Sequence, residues 1–177
     1  MEEMKALILG EPITLEDFVS VARFGRKVEF SSEYAARVDR SRALVERWVE
    51  EERVMYGVTT GFGALCTKAI DKESTAQLQE NIILSHSVSV GEPLSIERVR
   101  GVMLMALQNI GQGYSGVRMA VLDRYRDFLN AGLTPWAPGD GSVGYLSPEA
   151  HMALVLLGRG KAYYQGKLLE GAEALAR

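Results

Sequence analysis

Three stretches hold residue types whose spacing could do chemistry. In Tyr56-Gly57-Val58-Thr59-Thr60-Gly61-Phe62-Gly63, three glycines bracket two aromatics and no helical period survives. Glycines let a backbone approach a ligand closely, so such a loop can hold the Tyr56 phenol where it takes a proton. A strand and turn with packed aromatics is the competing reading. Ser85-His86 falls in a segment from Ser74 to Val88 in which Leu78, Ile82 and His86 recur at helical spacing. A lone histidine on an apolar face is more often a satisfied core residue than a ligand. The third stretch is Gly141-Ser142-Val143-Gly144-Tyr145-Leu146-Ser147-Pro148-Glu149-Ala150-His151-Met152. It starts as a small-residue loop and turns into a helix start: Ser147 can cap, Pro148 costs no hydrogen bond there, and Glu149 complements the dipole. A glycine-rich loop aimed at a helix N-terminus is a place where backbone N–H groups meet a ligand or reacting group. A solvated connector is the bland alternative.

These stretches need elements to hold them. Met4 to Gly10 alternates weakly and predicts a short strand before the Glu11-Pro12 turn. Thr14-Leu15-Glu16-Asp17 is a capping-box-like helix start, with Leu15, Phe18, Val19 and Ala22 on one face and Gly25 as the stop. Lys27 to Phe30 predicts an extended link. Ser31 or Ser32 then caps a longer helix whose inward side is Ala35, Val38, Val45 and Trp48 or Val49. Its charge run, Arg37, Arg40, Glu46 and Glu50 to Glu52, reads as a solvated face. Gly91 to Leu94 predicts a turn. Ile96 to Ile110 predicts a helix with Val99, Val102 or Met103, Ala106 and Ile110 inward, and with Met103 and Met105 as core filling. Ser115 is expected to cap a helix from Gly116 to about Leu129, with Val117, Val121, Tyr125 and Phe128 inside and Asn130-Ala131-Gly132 as its end. Pro135 to Pro138 keeps the chain extended into the third stretch. A helix from Pro148 to about Leu157, a small hairpin over Ala162 to Leu169 turning at Gln165-Gly166, and another helix from Glu170 complete a mainly α chain with short strands.

Composition narrows the function classes. The chain has 177 residues, 47% hydrophobic and 24% charged, in the range of an ordinary globular domain with a real core. A net charge of -3 makes no electrostatic case for nucleic acid or an anionic membrane. No apolar run approaches membrane-spanning length, and the acidic start Met1-Glu2-Glu3 with its short apolar run does not read as a secretory leader. Cys66 is the one cysteine, which fits a reduced, cytoplasmic setting. Gly111 to Gly116 and Gly139 to Gly144 each spell G-x-G-x-x-G. Neither follows a strand inside a βαβ unit, so the dinucleotide reading is rejected in both places.

Tyr56 to Gly63, Ser85-His86, Gly91 to Leu94, Asn109, Ser115-Gly116-Val117-Arg118 and Gly141 to Met152 together resemble the aromatic amino acid ammonia-lyases, in particular the histidine ammonia-lyase branch. The resemblance runs through almost everything from Leu7 onward. It implies the N-terminal portion, residues 1–177, of the family's fumarase/aspartase-like fold, without the helical bundle that follows in the family. It further implies that Tyr56 removes the substrate β-proton, that Ser85 and His86 select an imidazole ring, and that Gly63 and Asn109 belong to the substrate site. A 4-methylideneimidazol-5-one is implied between Gly144 and Tyr145, and no metal. In the family that group cyclises from Ala-Ser-Gly, whereas this sequence passes directly from Gly144 to Tyr145, and Tyr145 stands where the family has an aspartate. Either the matured group, a single non-standard residue, is not written among standard letters, or the triplet is deleted.

The activity implied is elimination of ammonia from L-histidine or a histidine-like amino acid, a step of histidine catabolism. Two alternatives stand beside it. A quaternary ammonium already leaves well, so a histidine betaine of the ergothioneine type could lose trimethylamine without the imidazolone. Alternatively, the chain is a non-catalytic fragment that acts only with a partner chain. The resemblance implies a cytoplasmic homotetramer, or a partner chain carrying the missing bundle, acting on a small amino acid substrate.

Overall fold

A computed structural model describes residues 4–61, 75–141 and 147–177. Gly63, Cys66, Gly144 and Tyr145 lie outside the described residues. The first strand, β1 (Leu7–Leu9), pairs in parallel with β2 (Val28–Phe30), and α1 (Leu15–Ala22) crosses between them. The expected cap of α1 is a full capping box, with the Asp17 N–H donating to Thr14 Oγ1 and the Thr14 N–H to Asp17 Oδ2, each at 3.1 Å. Ala22 is buried and Phe18 packs on the core, as expected, whereas Leu15 is exposed and Val21 is buried in its stead. The periodic reading could not see that α1 lies on the next helices by its C-terminal turn.

Ser31 caps α2 (Ser32–Glu50), whose buried residues are Tyr34 and Val38. Tyr34, absent from the expected stripe, anchors this helix. Its ring stacks on Phe30 at 4.4 Å, and its hydroxyl donates to the Leu107 carbonyl at 2.7 Å. The next described helices are α3 (Thr75–His86) and, after β3 (Val90–Pro93), α4 (Ile96–Ile110). Val99, Arg100, Met103, Leu104 and Leu107 form the buried side of α4. Val102 and Ala106 are only half-buried and Met105 is exposed, so the expected stripe was rotated: Val99 and Met103 belong to it and Met105 does not.

Arg100 is the polar centre of this core, 6% exposed. Its guanidinium donates to the carbonyls of Val21 at 2.8 Å, Ala22 at 3.3 Å and Leu129 at 3.0 Å. Those carbonyls end α1 and α5 (Met119–Ala131), where helix groups lack intrahelical partners and the dipole favours a cation. One side chain thus ties two helix ends to a third helix.

The helix expected from Gly116 begins instead at Met119, with Leu122, Phe128 and Leu129 buried. Gly116 has a φ of +65° and sits against Val45, outside the helical region. The glycines of this G-x-G-x-x-G face α2, not a nucleotide. A Cβ on Gly111 would fall 1.9 Å from the Tyr34 ring, so the motif is spent on helix packing.

After Gly132, a left-handed cap, come β4 (Thr134–Pro135) and β5 (Pro138–Asp140). Then α6 (Ser147–Leu156) buries Met152 and Val155. The hairpin expected at Gln165-Gly166 is formed by β6 (Lys161–Tyr164) and β7 (Lys167–Glu170), and β4 pairs with its first strand. Positive φ at both turn residues gives the turn that matches strand twist. Helix α7 (Gly171–Leu175) closes against α6. Among the described residues, no helix is long and apolar enough to cross a membrane.

Candidate active site

Tyr56 is presented by a turn that follows α2, and two threonines shape that turn. The Met55 N–H donates to Thr59 Oγ1 at 2.9 Å, and that hydroxyl donates to the Arg53 carbonyl at 2.6 Å. The Gly57 N–H donates to Thr60 Oγ1 at 3.3 Å, and Gly57 takes a φ of +71°. Thr59 and Thr60 are buried while Tyr56 is 63% exposed, so the turn points its hydroxyls inward and its phenol outward. Tyr56 to Gly61, the described part of the stretch, form this turn. The described residues do not enclose the Tyr56 phenol in a dry site.

Ser85 and His86 occupy the last turn of α3. Ser85 Oγ donates to the Ile82 carbonyl at 3.0 Å, and His86 Nδ1 lies 2.8 Å from the same carbonyl. A carbonyl only accepts, so Nδ1 carries the proton in this contact. The helical reading of Leu78, Ile82 and His86 holds: all three are half-buried.

Three residues beyond His86, at Ser89, the chain meets both flanks of the small-residue loop. The Ser89 N–H donates to His151 Nε2, in the early turns of α6, at 3.1 Å. A Cβ built on Gly141 would lie 3.3 Å from Val90 Cγ2 and 4.0 Å from Ser89 Cα. Strands β3 and β5 pair antiparallel, with Val90 opposite Asp140, so the segment leaving His86 and the segment leading into the loop are held together. Gly91 lets them approach: its φ is +84°, and a Cβ there would fall 2.3 Å from Asp140 Oδ2. Arg159, beyond α6, adds an ion pair to Glu80 on α3 at 2.7 Å.

Asn109 reaches the same region from the other side. It is exposed on α4 and lines an open groove of about 780 Å³ together with Phe18, Val102, Met105, Ala106 and Glu149. Glu149 belongs to the first turn of α6, so the groove borders the start of that helix. The structure therefore gathers Ser85-His86, Gly141 and α6 around Ser89, and joins Asn109 to α6 through the groove. Gly63, Gly144 and Tyr145 lie outside the described residues. Among the described residues, no group of three or more His, Cys, Asp or Glu is placed to hold a metal ion.

His151 was not among the residues the sequence singled out for chemistry. Its signal was available: a histidine one turn into a helix that opens directly from a glycine-rich loop. Burial holds its imidazole below the ordinary histidine value of 6.5. Its contribution to stability is therefore complete above pH 6.5 and declines as the pH falls, because the unfolded chain takes up the proton first. Protonation also removes the lone pair that accepts the Ser89 N–H. Urea midpoints measured from pH 8 to pH 5 should fall more for the natural chain than for His151→Gln; parallel profiles would refute this.

The chain is similar to known proteins. A family model described as aromatic amino acid lyase matches residues 13–177. Histidine ammonia-lyase 1 of Fusobacterium nucleatum is 51% identical over 175 residues, covering 97% of this chain and 34% of that protein. Histidine ammonia-lyase of Streptococcus sanguinis is 48% identical over 169 residues, covering 94% of this chain and 33% of that protein. Among solved structures, histidine ammonia-lyase from Trypanosoma cruzi superposes with a TM-score of 0.89 at 32% identity, over 97% of this chain and 34% of that one. The ergothioneine-degrading ergothionase from Treponema denticola superposes with a TM-score of 0.92 at 31% identity, over 96% and 35%. The chain spans about a third of the length of the curated relatives it matches.

Proposed function

The chain belongs to the aromatic amino acid lyase family, and on that premise we propose that it serves a carbon–nitrogen lyase that eliminates ammonia from L-histidine, in histidine catabolism. The observation that carries this reading is the placing of Ser85-His86 on the last turn of α3, set beside relatives that are histidine ammonia-lyases at about half identity. An imidazole side chain at this position can pair with the N–H of a substrate imidazole. A phenylalanine ring offers no such donor.

In the proposed reaction Tyr56 takes the β-proton, the electron pair of that C–H bond forms the new double bond, and the amine leaves with the C–N pair. The product is the α,β-unsaturated acid. Gly141 to Met152 hold no Ala-Ser-Gly, so the residues present do not build the imidazolone that the family resemblance implies. The chain's own groups account for the ring and proton side of the reaction. Intact mass tests the point: mass beyond the 19.5 kDa of the printed residues would reveal a matured triplet, and 19.5 kDa would exclude it.

The comparisons favour ammonia elimination over trimethylamine release from a histidine betaine. The active form is proposed to be an assembly, either a cytoplasmic homo-oligomer of the homotetramer type or a complex with a partner chain. The open, largely apolar groove on α4 and the single cysteine support this. Sedimentation of the 177-residue chain together with a histidine assay tests it, and a monomer that turns over histidine unaided would sink it.

Replacing His86 with leucine should lower the preference for histidine over phenylalanine by about ten- to a hundredfold, since one hydrogen bond in a half-buried position is lost. Competition assays on the assembled enzyme measure it directly. An unchanged preference would return His86 to a packing role.

A further inference from the structure

We infer that His151 is a positioning residue, which clamps the start of α6 to the segment carrying Ser85-His86 by accepting the Ser89 N–H. The contact joins residues 62 apart in sequence and is the side-chain hydrogen bond that ties α6 to the turn leaving α3. Gly141 packs against the adjoining Val90, so both flanks of the small-residue loop meet the Ser89–Val90 step just beyond His86. Among the described residues, α6 is otherwise referred to α3 by side-chain packing, by the β3–β5 pairing on the other flank of the loop, and by the Arg159–Glu80 ion pair, which is partly exposed and distant from the loop in sequence.

The chemistry of the contact is specific. A backbone N–H needs an acceptor, and histidine supplies one only as the Nδ1–H tautomer with Nε2 unprotonated. Burial of the ring favours that neutral form. A hydrogen bond of this kind fixes distance and direction as packing alone does not. A ring-reading residue at the end of a helix is useful only if the reacting centre stands at a set distance from it. The catalytic consequence rests on the proposed elimination from histidine; the clamp does not.

Two substitutions separate the roles. In His151→Gln the amide oxygen reaches about as far as Nε2 and retains an acceptor, whereas His151→Leu fills similar space without one. On the 177-residue chain, the Ser89 amide should exchange about tenfold faster in the leucine variant and near the natural rate in the glutamine variant. The chain has two histidines, so either variant leaves His86 as the one imidazole signal. That signal should match the natural chain in His151→Gln and move in His151→Leu. In the assembled enzyme, His151→Leu should raise KM for histidine and weaken its preference over phenylalanine by about tenfold, with the glutamine variant restoring both.

Unchanged Ser89 exchange in His151→Leu would overturn the clamp. A His86 signal that is the same in all three proteins would overturn the positioning role even if the clamp exists. So would equal kinetics for the two variants in an enzyme active on histidine. A natural enzyme that ignores histidine would strike the proposed function instead, and the exchange and imidazole measurements would still decide this inference.

Discussion

Replacing Tyr56 with phenylalanine is expected to lower turnover of histidine by roughly two to four orders of magnitude, the usual worth of a positioned base. The substitution removes one oxygen from a ring that is 63% exposed on a turn held by Thr59 and Thr60. Neither threonine contact involves the phenol, so the turn should survive. Thermal stability should change little, and KM should change far less than kcat, because the proton moves only in the transition state. Steady-state kinetics on the assembled enzyme, with a melting curve as control, provide the measurement. Near-normal turnover would place the base elsewhere. A large fall in melting temperature would instead make Tyr56 a structural residue.

Arg100→Met should be the most damaging single change to the fold among those considered. The methionine fills much of the same space but leaves the Val21 and Ala22 carbonyls without the donors they have in the natural chain. Leu129 keeps the Gly132 N–H at 3.2 Å. Two buried carbonyls left unsatisfied at a helix end should cost about 2–5 kcal/mol. For a chain of this size that corresponds to a fall of about 5–15 °C in Tm. Arg100→Lys should recover only part, because one ammonium cannot span two helix ends as the planar fork does. Urea denaturation of the three proteins gives the values, and a loss below about 0.5 kcal/mol for methionine would show that the clamp is dispensable.

Both predictions draw on residues that differ in how openly the sequence announced them. Tyr56 stood out because three glycines around two aromatics break any helical period, and the described part, Tyr56 to Gly61, is a turn. His86 was visible through its spacing from Leu78 and Ile82. Its Nδ1 contact, to the Ile82 carbonyl, is likewise within one turn. Arg100 was invisible: a charged residue between Val99 and Gly101 reads as the solvent side of an amphipathic helix. Its burial depends on two helix ends brought in from elsewhere in the chain.

The sequence by itself determined what is local. The Thr14–Asp17 box, the Ser31 cap, the stop at Gly132 and the turn at Gln165-Gly166 depend on neighbours within a few positions. Such short hydrogen-bonded rings and left-handed turns have the same preferences in any fold. Tertiary structure decided which faces are inside. It rotated the buried side of α4, put Tyr34 at the centre of α2, and delayed α5 to Met119 because Gly116 had to turn against Val45. It also chose the partners of Arg100 and His151, which lie from 29 to 79 residues away. A buried cation or an unprotonated imidazole is stable only when a carbonyl or an N–H arrives at hydrogen-bond distance. Which group arrives is set by the packing of whole helices, so no window of sequence around either residue contains it.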